Sequence, residues 1–137
     1  IGRYANRLDL QFAIIDKRRV GDNRKPEAVH LIGSVEGKTA LVVDDEIASG
    51  GTLVAAAEFL KQHGADRVIA AATHAVFSPG AVERIEDSRI ERVIVTDTIP
   101  QPAGQKRSKK IEFLSTADLF ASAIARIHDG RSVSALF

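Results

Sequence analysis

Apolar residues recur along this chain with two periods. Short runs rich in Val, Ile and Ala alternate with stretches whose apolar positions return every three or four residues, and that alternation marks βαβ units around a mostly parallel sheet. The predicted fold class is α/β, a mostly parallel sheet flanked by helices. Strands are predicted at residues 12–15, 28–32, 39–44, 67–72, 92–95 and 111–114. Val42 and Val43 sit in a continuous apolar run, as in a strand covered on both faces. Helices are predicted at 52–63, closed by Gly64; at 79–86, with Ser78 as N-cap and Pro79 in the first turn; and at 117–128, capped by Thr116 and stopped near Gly130. Residues 1–8 read as the end of a helix. Two polar, breaker-rich stretches, 17–27 (KRRVGDNRKPE) and 100–110 (PQPAGQKRSKK), read as surface loops between strands.

Composition narrows the picture only a little. A chain of 137 residues is one domain's worth, with 45% hydrophobic and 27% charged residues and a net charge of +1. That balance gives no electrostatic reason to expect a nucleic-acid partner. No apolar run approaches the ~18 residues of a membrane span, so no membrane association is expected. The absence of cysteine excludes disulfides and thiolate metal sites and is compatible with a cytoplasmic protein. The chain opens on Ile1 and contains no methionine, so it is expected to be a piece of a longer one.

The candidate chemistry lies in VVDDEIASGGTL, residues 42–53. In an open α/β sheet the ligand crevice lies beyond the carboxyl ends of the strands, where Asp44 and Asp45 fall. Residues 48–52 then lead into a helix N-terminus, whose unpaired N–H groups and dipole favour an anion. Gly50 and Gly51 let the backbone approach closely, and Ser49 and Thr52 add hydroxyls. Two acids beside an anion site make sense for a ligand with two different ends: a sugar phosphate gives its phosphate to the amides and its diol to the carboxylates, with Mg²⁺ screening the repulsion. The same residues also fit a plain strand-end turn with an N-cap. A receiver-like acidic pocket uses an Asp pair too, but gives no reason for the glycine turn. Neither GxxxxGK[ST] nor GxGxxG occurs. His30, His63 and His128 show no metal-ligand spacing, and His74, just past a strand, reads as packing against the next loop. Lys106, Arg107, Lys109 and Lys110 lack interleaved aromatics and read as a solvated loop.

The stretch resembles the phosphoribosyl pyrophosphate motif of the type I phosphoribosyltransferase fold, and within it the ribose-phosphate diphosphokinase family. AIIDKRR (13–19), THAVFSPGAVERIE (73–86), VTDTIP (95–100) and SVSALF (132–137) resemble that family's second half, in order. The resemblance covers nearly the whole chain. It implies a single phosphoribosyltransferase-like domain over 1–137, the C-terminal domain of a two-domain enzyme that transfers the diphosphoryl group of ATP, with Mg²⁺, to the anomeric hydroxyl of ribose 5-phosphate, giving phosphoribosyl pyrophosphate and AMP. Asp44 and Asp45 would hold the ribose hydroxyls and the metal. Ala48, Ser49, Gly50, Gly51 and Thr52 would wrap the 5-phosphate. Lys17 and Arg19 match the family's catalytic loop, with Arg19 also reaching substrate, although by spacing alone residues 16–19 read as a solvated charge run; Arg18 is left as surface. Ser132 and Ser134 lie in a tail resembling an allosteric phosphate or ADP site. Family members are dimers that assemble into hexamers, so a homo-oligomer is expected of the intact protein.

Two positions depart from the family pattern, which commonly has Asp-Thr where this chain has Ala48 and Ser49. Ser49 keeps the hydroxyl. Nucleobase phosphoribosyltransferases often place an acid at the position of Ala48, and alanine accepts no proton, which disfavours that alternative. A second alternative is a non-catalytic regulatory homologue, and retention of Lys17 and Arg19 disfavours it. Because the family's first domain supplies much of the ATP pocket, this chain alone is expected to bind sugar phosphate weakly and make little product.

Overall fold

A computed structural model describes residues 2–18, 27–101 and 108–137. In chain order the elements are α1 (Gly2–Leu8), β1 (Ile14–Arg18), β2 (Glu27–Ile32), β3 (Thr39–Glu46), α2 (Gly51–Gln62), β4 (Arg67–His74), α3 (Ala81–Glu86), β5 (Arg92–Thr96), β6 (Ile111–Leu114), α4 (Ala117–His128) and a closing 3₁₀ turn (Val133–Leu136). The predicted α/β class with a mostly parallel sheet holds. Only β3, β4, β5 and β6 form a parallel sheet, in that order, while β1 and β2 make a separate antiparallel ribbon.

The first strand also lies later than the apolar pattern placed it, at Ile14–Arg18 rather than 12–15. Lys17 and Arg18, expected to open a loop, have extended backbone, as does Glu27. A two-stranded ribbon needs only one buried face, so charged residues are tolerated in it. Ile15 pairs with Leu31 and both pack on the core, while Ile14 and Ile32 stay exposed. Lys17 follows a register irregularity between Asp16 and Lys17.

Successive strands of the parallel sheet step in one direction, and right-handed crossovers then place α2 and α3 on the same face. That face is the core: Val68, Ala70, Ala72, Val93 and Val95 of the sheet are buried against Leu53, Ala57 and Leu60 of α2 and Ala81, Val82 and Ile85 of α3. The other face is less covered than the apolar run at Val42 and Val43 predicts, since Leu41 is exposed and Val43, Ile69, Ala71 and Ile94 are half-buried. At β3, an apolar cavity of about 700 Å³ opens between that strand, α1 and β1, lined by Leu8, Phe12, Ile15, Leu41 and Leu53 among others.

Three local expectations change because side chains are recruited to distant partners. Helix α3 starts at Ala81 with Gly80 in the left-handed region as its N-cap, not at Pro79 after Ser78. Lys110, expected in solvent, donates from Nζ to the carbonyls of Glu86 (2.7 Å) and Ser88 (2.8 Å), closing the C-terminal end of α3. Thr116 does precede α4, yet its hydroxyl donates across the chain to Asp97 Oδ1 (2.7 Å), which also receives the Thr116 N–H (2.8 Å). Helix α4 itself buries no residue, leaving Phe120, Ile124 and Ile127 exposed.

Hydrogen bonds from Ser115 and Thr116 hold the Asp97 carboxyl below its ordinary pKa. A group whose folded pKa is depressed contributes stability that is complete above its unfolded pKa and is lost as pH falls through the folded value. The melting-temperature advantage of the wild type over Asp97→Asn should therefore be full above pH about 4 and shrink below it. An advantage that stays constant down to the acid limit of folding would remove Asp97 as the tie between β5 and α4.

Candidate functional site

Strand β3 delivers three carboxylates, Asp44, Asp45 and Glu46, to the carboxyl end of the parallel sheet, and all three are exposed. Asp44 Oδ1 accepts the N–H of Asp45 (3.0 Å), and Asp45 Oδ1 that of Glu46 (2.9 Å). No ion pair neutralises any of the three among the described residues. Together with residues 47–50, Thr52 and Leu53 they line a cavity of about 230 Å³. Glu46 and Leu53 were not singled out by the sequence, although Glu46 directly follows the acid pair.

The loop turns into α2 at Gly50, whose φ of +74° places it in the left-handed region. A side chain there is strained by about 1–2 kcal/mol, which is the reason for glycine at this position. The Gly50 carbonyl accepts the first helical bond, from Val54 N–H (2.9 Å). Of the loop residues 48–52, Gly51 alone does not line the cavity; its N–H is turned to Ser49 Oγ at 3.4 Å. The N–H groups of Ala48, Ser49, Gly50, Thr52 and Leu53 have no acceptor among the described residues.

The segment after β4 holds this loop from behind. Ile47 N–H donates to the His74 carbonyl (2.9 Å), Phe77 N–H to the Ile47 carbonyl (3.0 Å) and Ser78 N–H to the Ala48 carbonyl (3.0 Å), which also receives Ser78 Oγ (3.3 Å). Arg84 Nη1 of α3 donates to the Ser49 carbonyl. Phe77 is buried with a φ of +42°, a conformation non-glycine residues rarely adopt, and its ring meets Phe113 edge-on at 6.5 Å. Strain of this kind, of order 1–3 kcal/mol, persists where surrounding packing over-determines the backbone and clusters at ligand clamps. No spacing rule could have found Arg84, because its contact spans 35 residues.

The other expected site residues lie elsewhere. Lys17 is in β1, and Arg19 falls outside the described residues. His74 Nδ1 shares a hydrogen bond with Thr98 Oγ1 (2.9 Å), in the loop after β5. Ser132 and Ser134 belong to the exposed C-terminal turn, where the Ser132 carbonyl accepts from Arg126 (3.0 Å); neither lines the acidic cavity. Lys106 and Arg107 are outside the described residues. No group of three or more His, Cys, Asp or Glu side chains suited to a metal occurs among the described residues. No described helix is long and apolar enough to cross a membrane.

A four-stranded parallel sheet flanked by helices, with an acid cluster at its carboxyl edge beside a helix entrance, defines an α/β protein. The profile of the phosphoribosyl synthetase-associated domain matches residues 18–137, and the chain belongs to that family. A ribose-phosphate pyrophosphokinase of Caldanaerobacter subterraneus is 52% identical over 134 residues, covering 98% of this chain and 42% of the relative. Another from a Nostoc species is 49% identical over 135 residues, covering 98% and 40%. The crystal structure of phosphoribosylpyrophosphate synthetase from Mycobacterium smegmatis superimposes with a TM-score of 0.80 at 34% identity, over 93% of this chain and 40% of that one. The fold is thus of the phosphoribosyltransferase type, and the chain spans about two-fifths of the length of these relatives.

Proposed function

We propose that this chain is one phosphoribosyltransferase-like domain, carrying the ribose 5-phosphate site of a ribose-phosphate diphosphokinase. The loop amides of residues 48–50, 52 and 53 take the 5-phosphate, and Asp44 and Asp45 take the ribose hydroxyls. The observation that carries this reading is the meeting, in one cavity of about 230 Å³, of N–H groups that have no acceptor and carboxylates that have no counter-charge among the described residues. A phosphate there accepts from amides, while a diol donates to acids, so the two kinds of group serve different parts of one ligand.

Asp44 and Asp45 also fit Mg²⁺, which is commonly bound by one or two carboxylates together with water and substrate oxygens rather than by an all-protein cage. When bound, the ion would offset negative charge on the acids and on the phosphates of ATP. Lys17 and Arg19 fit the role of cations that stabilise charge on the diphosphoryl group as it moves from ATP to the anomeric hydroxyl, leaving AMP. Such transfers depend mostly on alignment and charge stabilisation. The remainder of the ATP pocket, and a homo-oligomeric assembly, belong to a chain of the relatives' length.

Backbone amide resonances of the isolated chain test the site. Those of residues 48–53 should shift on addition of ribose 5-phosphate and of inorganic phosphate, and stay in place with ribose alone. Asp44→Asn should weaken ribose 5-phosphate more than inorganic phosphate, because only the former reaches the acids. Resonances unmoved by either phosphate ligand would refute the assignment.

A further inference from the structure

The orientation of the loop's amides has an identifiable source outside the loop. In a trans peptide the C=O and N–H of one unit point in opposite directions, and this chain has no cis peptide among the described residues. Fixing the carbonyl of residue i on one side therefore aims the N–H of residue i+1 to the other. Three consecutive peptides are fixed this way. The Ile47 carbonyl is held by Phe77 N–H, that of Ala48 by Ser78, and that of Ser49 by Arg84 Nη1. The N–H groups thereby turned away from the buttress are those of Ala48, Ser49 and Gly50, three of the residues that line the cavity.

Among these three ties, the one from Arg84 differs in kind. The first two come from the backbone N–H groups of residues 77 and 78, with the Ser78 hydroxyl added at Ala48, whereas the third comes from a charged side chain whose residue is exposed and does not line the cavity. We propose that Arg84 is a positioning residue for the phosphate loop: it anchors the Ser49–Gly50 peptide through its carbonyl and so directs the Gly50 N–H at the bound phosphate. The guanidinium also polarises that peptide, since a bond from a charged donor strengthens the donor at the far end of the same unit. This inference rests on the phosphate-site reading above.

Arg84 can be tested without threatening the fold, because it is exposed while its neighbour Ile85 carries the packing. Inorganic phosphate is titrated into the wild type, Arg84→Lys and Arg84→Met, following the amide resonances of Ser49, Gly50 and Thr52, with melting temperatures recorded alongside. Arg84→Met is expected to bind phosphate about 10-fold more weakly, as loss of a charge-assisted bond implies, with the Gly50 resonance displaced most in the free protein and the melting temperature little changed. Arg84→Lys, which keeps the donor and the charge, should recover most of the affinity. Equal binding by all three proteins, or equal loss in both variants, would overturn the role of Arg84 and leave the site itself standing. A wild type that does not respond to phosphate would overturn both.

Discussion

In a protein of the relatives' full length, Lys17→Ala is expected to lower kcat by about 10²–10³-fold, the usual cost of removing one preorganised group that stabilises transition-state charge. Ribose 5-phosphate affinity should stay within about two-fold, because a group acting only in the transition state contributes nothing to ground-state binding of the acceptor. The expectation follows from the division of labour within the fold. In the proposed reading the amide loop and the acids on β3 would hold the sugar phosphate at the end of the parallel sheet, while Lys17 lies on the separate ribbon, directly after the irregularity between Asp16 and Lys17. A cation on a ribbon can act on the donor phosphates without sharing the acceptor's anchors. Steady-state kinetics with ATP and ribose 5-phosphate varied in turn separates the two effects. An unchanged kcat, or a loss confined to KM for ribose 5-phosphate, would move Lys17 out of the chemical step.

The candidate site was legible in the sequence to the extent that its residues are neighbours in the chain. Asp44, Asp45 and the glycine turn occupy one uninterrupted stretch, so a strand end, two acids and a helix entrance could be read from neighbours in the chain. The buttress could not. Ser78 has the composition of an N-cap, but its N–H and hydroxyl go to the Ala48 carbonyl, 30 residues away, and α3 starts later as a result. Thr116 likewise spends its hydroxyl on Asp97, 19 residues distant. In each case the local preference for capping lost to a tertiary bond with a partner that periodicity does not record.

The same logic explains why the first strand lies later than its apolar run. Parallel strands β3, β4 and β5 announce themselves because their apolar runs are nearly continuous, although one face of the sheet is only partly covered. The ribbon packs on the core through Ile15 and Leu31, and its pairing places Asp16 opposite His30 and Arg18 opposite Glu27, so the end of its first strand reads as a charged loop. Lys17 and Arg18 carry no apolar signature, so a reading based on hydrophobic runs ends the first strand at Ile15.

Ile85→Ala should produce the largest loss of stability among simple truncations near the site, about 2–5 kcal/mol and a fall in melting temperature of roughly 10 °C. Ile85 is fully buried on α3 and belongs to the cluster that joins α3 to the sheet. It also stands directly behind the loop, where a Cβ built on Gly50 would lie 3.5 Å from Ile85 Cγ1 and 3.6 Å from the Ala81 carbonyl oxygen. Truncation there opens a cavity between α3 and the turn into α2, so the cost divides between the lost packing and whatever relaxation the loop allows. Ile85→Val, which removes one methylene, should cost only about 0.5–1.5 kcal/mol. Denaturant unfolding measures both, and phosphate titration well below the melting temperature shows how far the loop followed. If α3 is the rigid support for the amides, Ile85→Ala weakens phosphate binding even while folded, and Ile85→Val does not. A loss of stability below about 1 kcal/mol for Ile85→Ala, or full phosphate affinity in its folded form, would mean that the loop keeps its shape without α3.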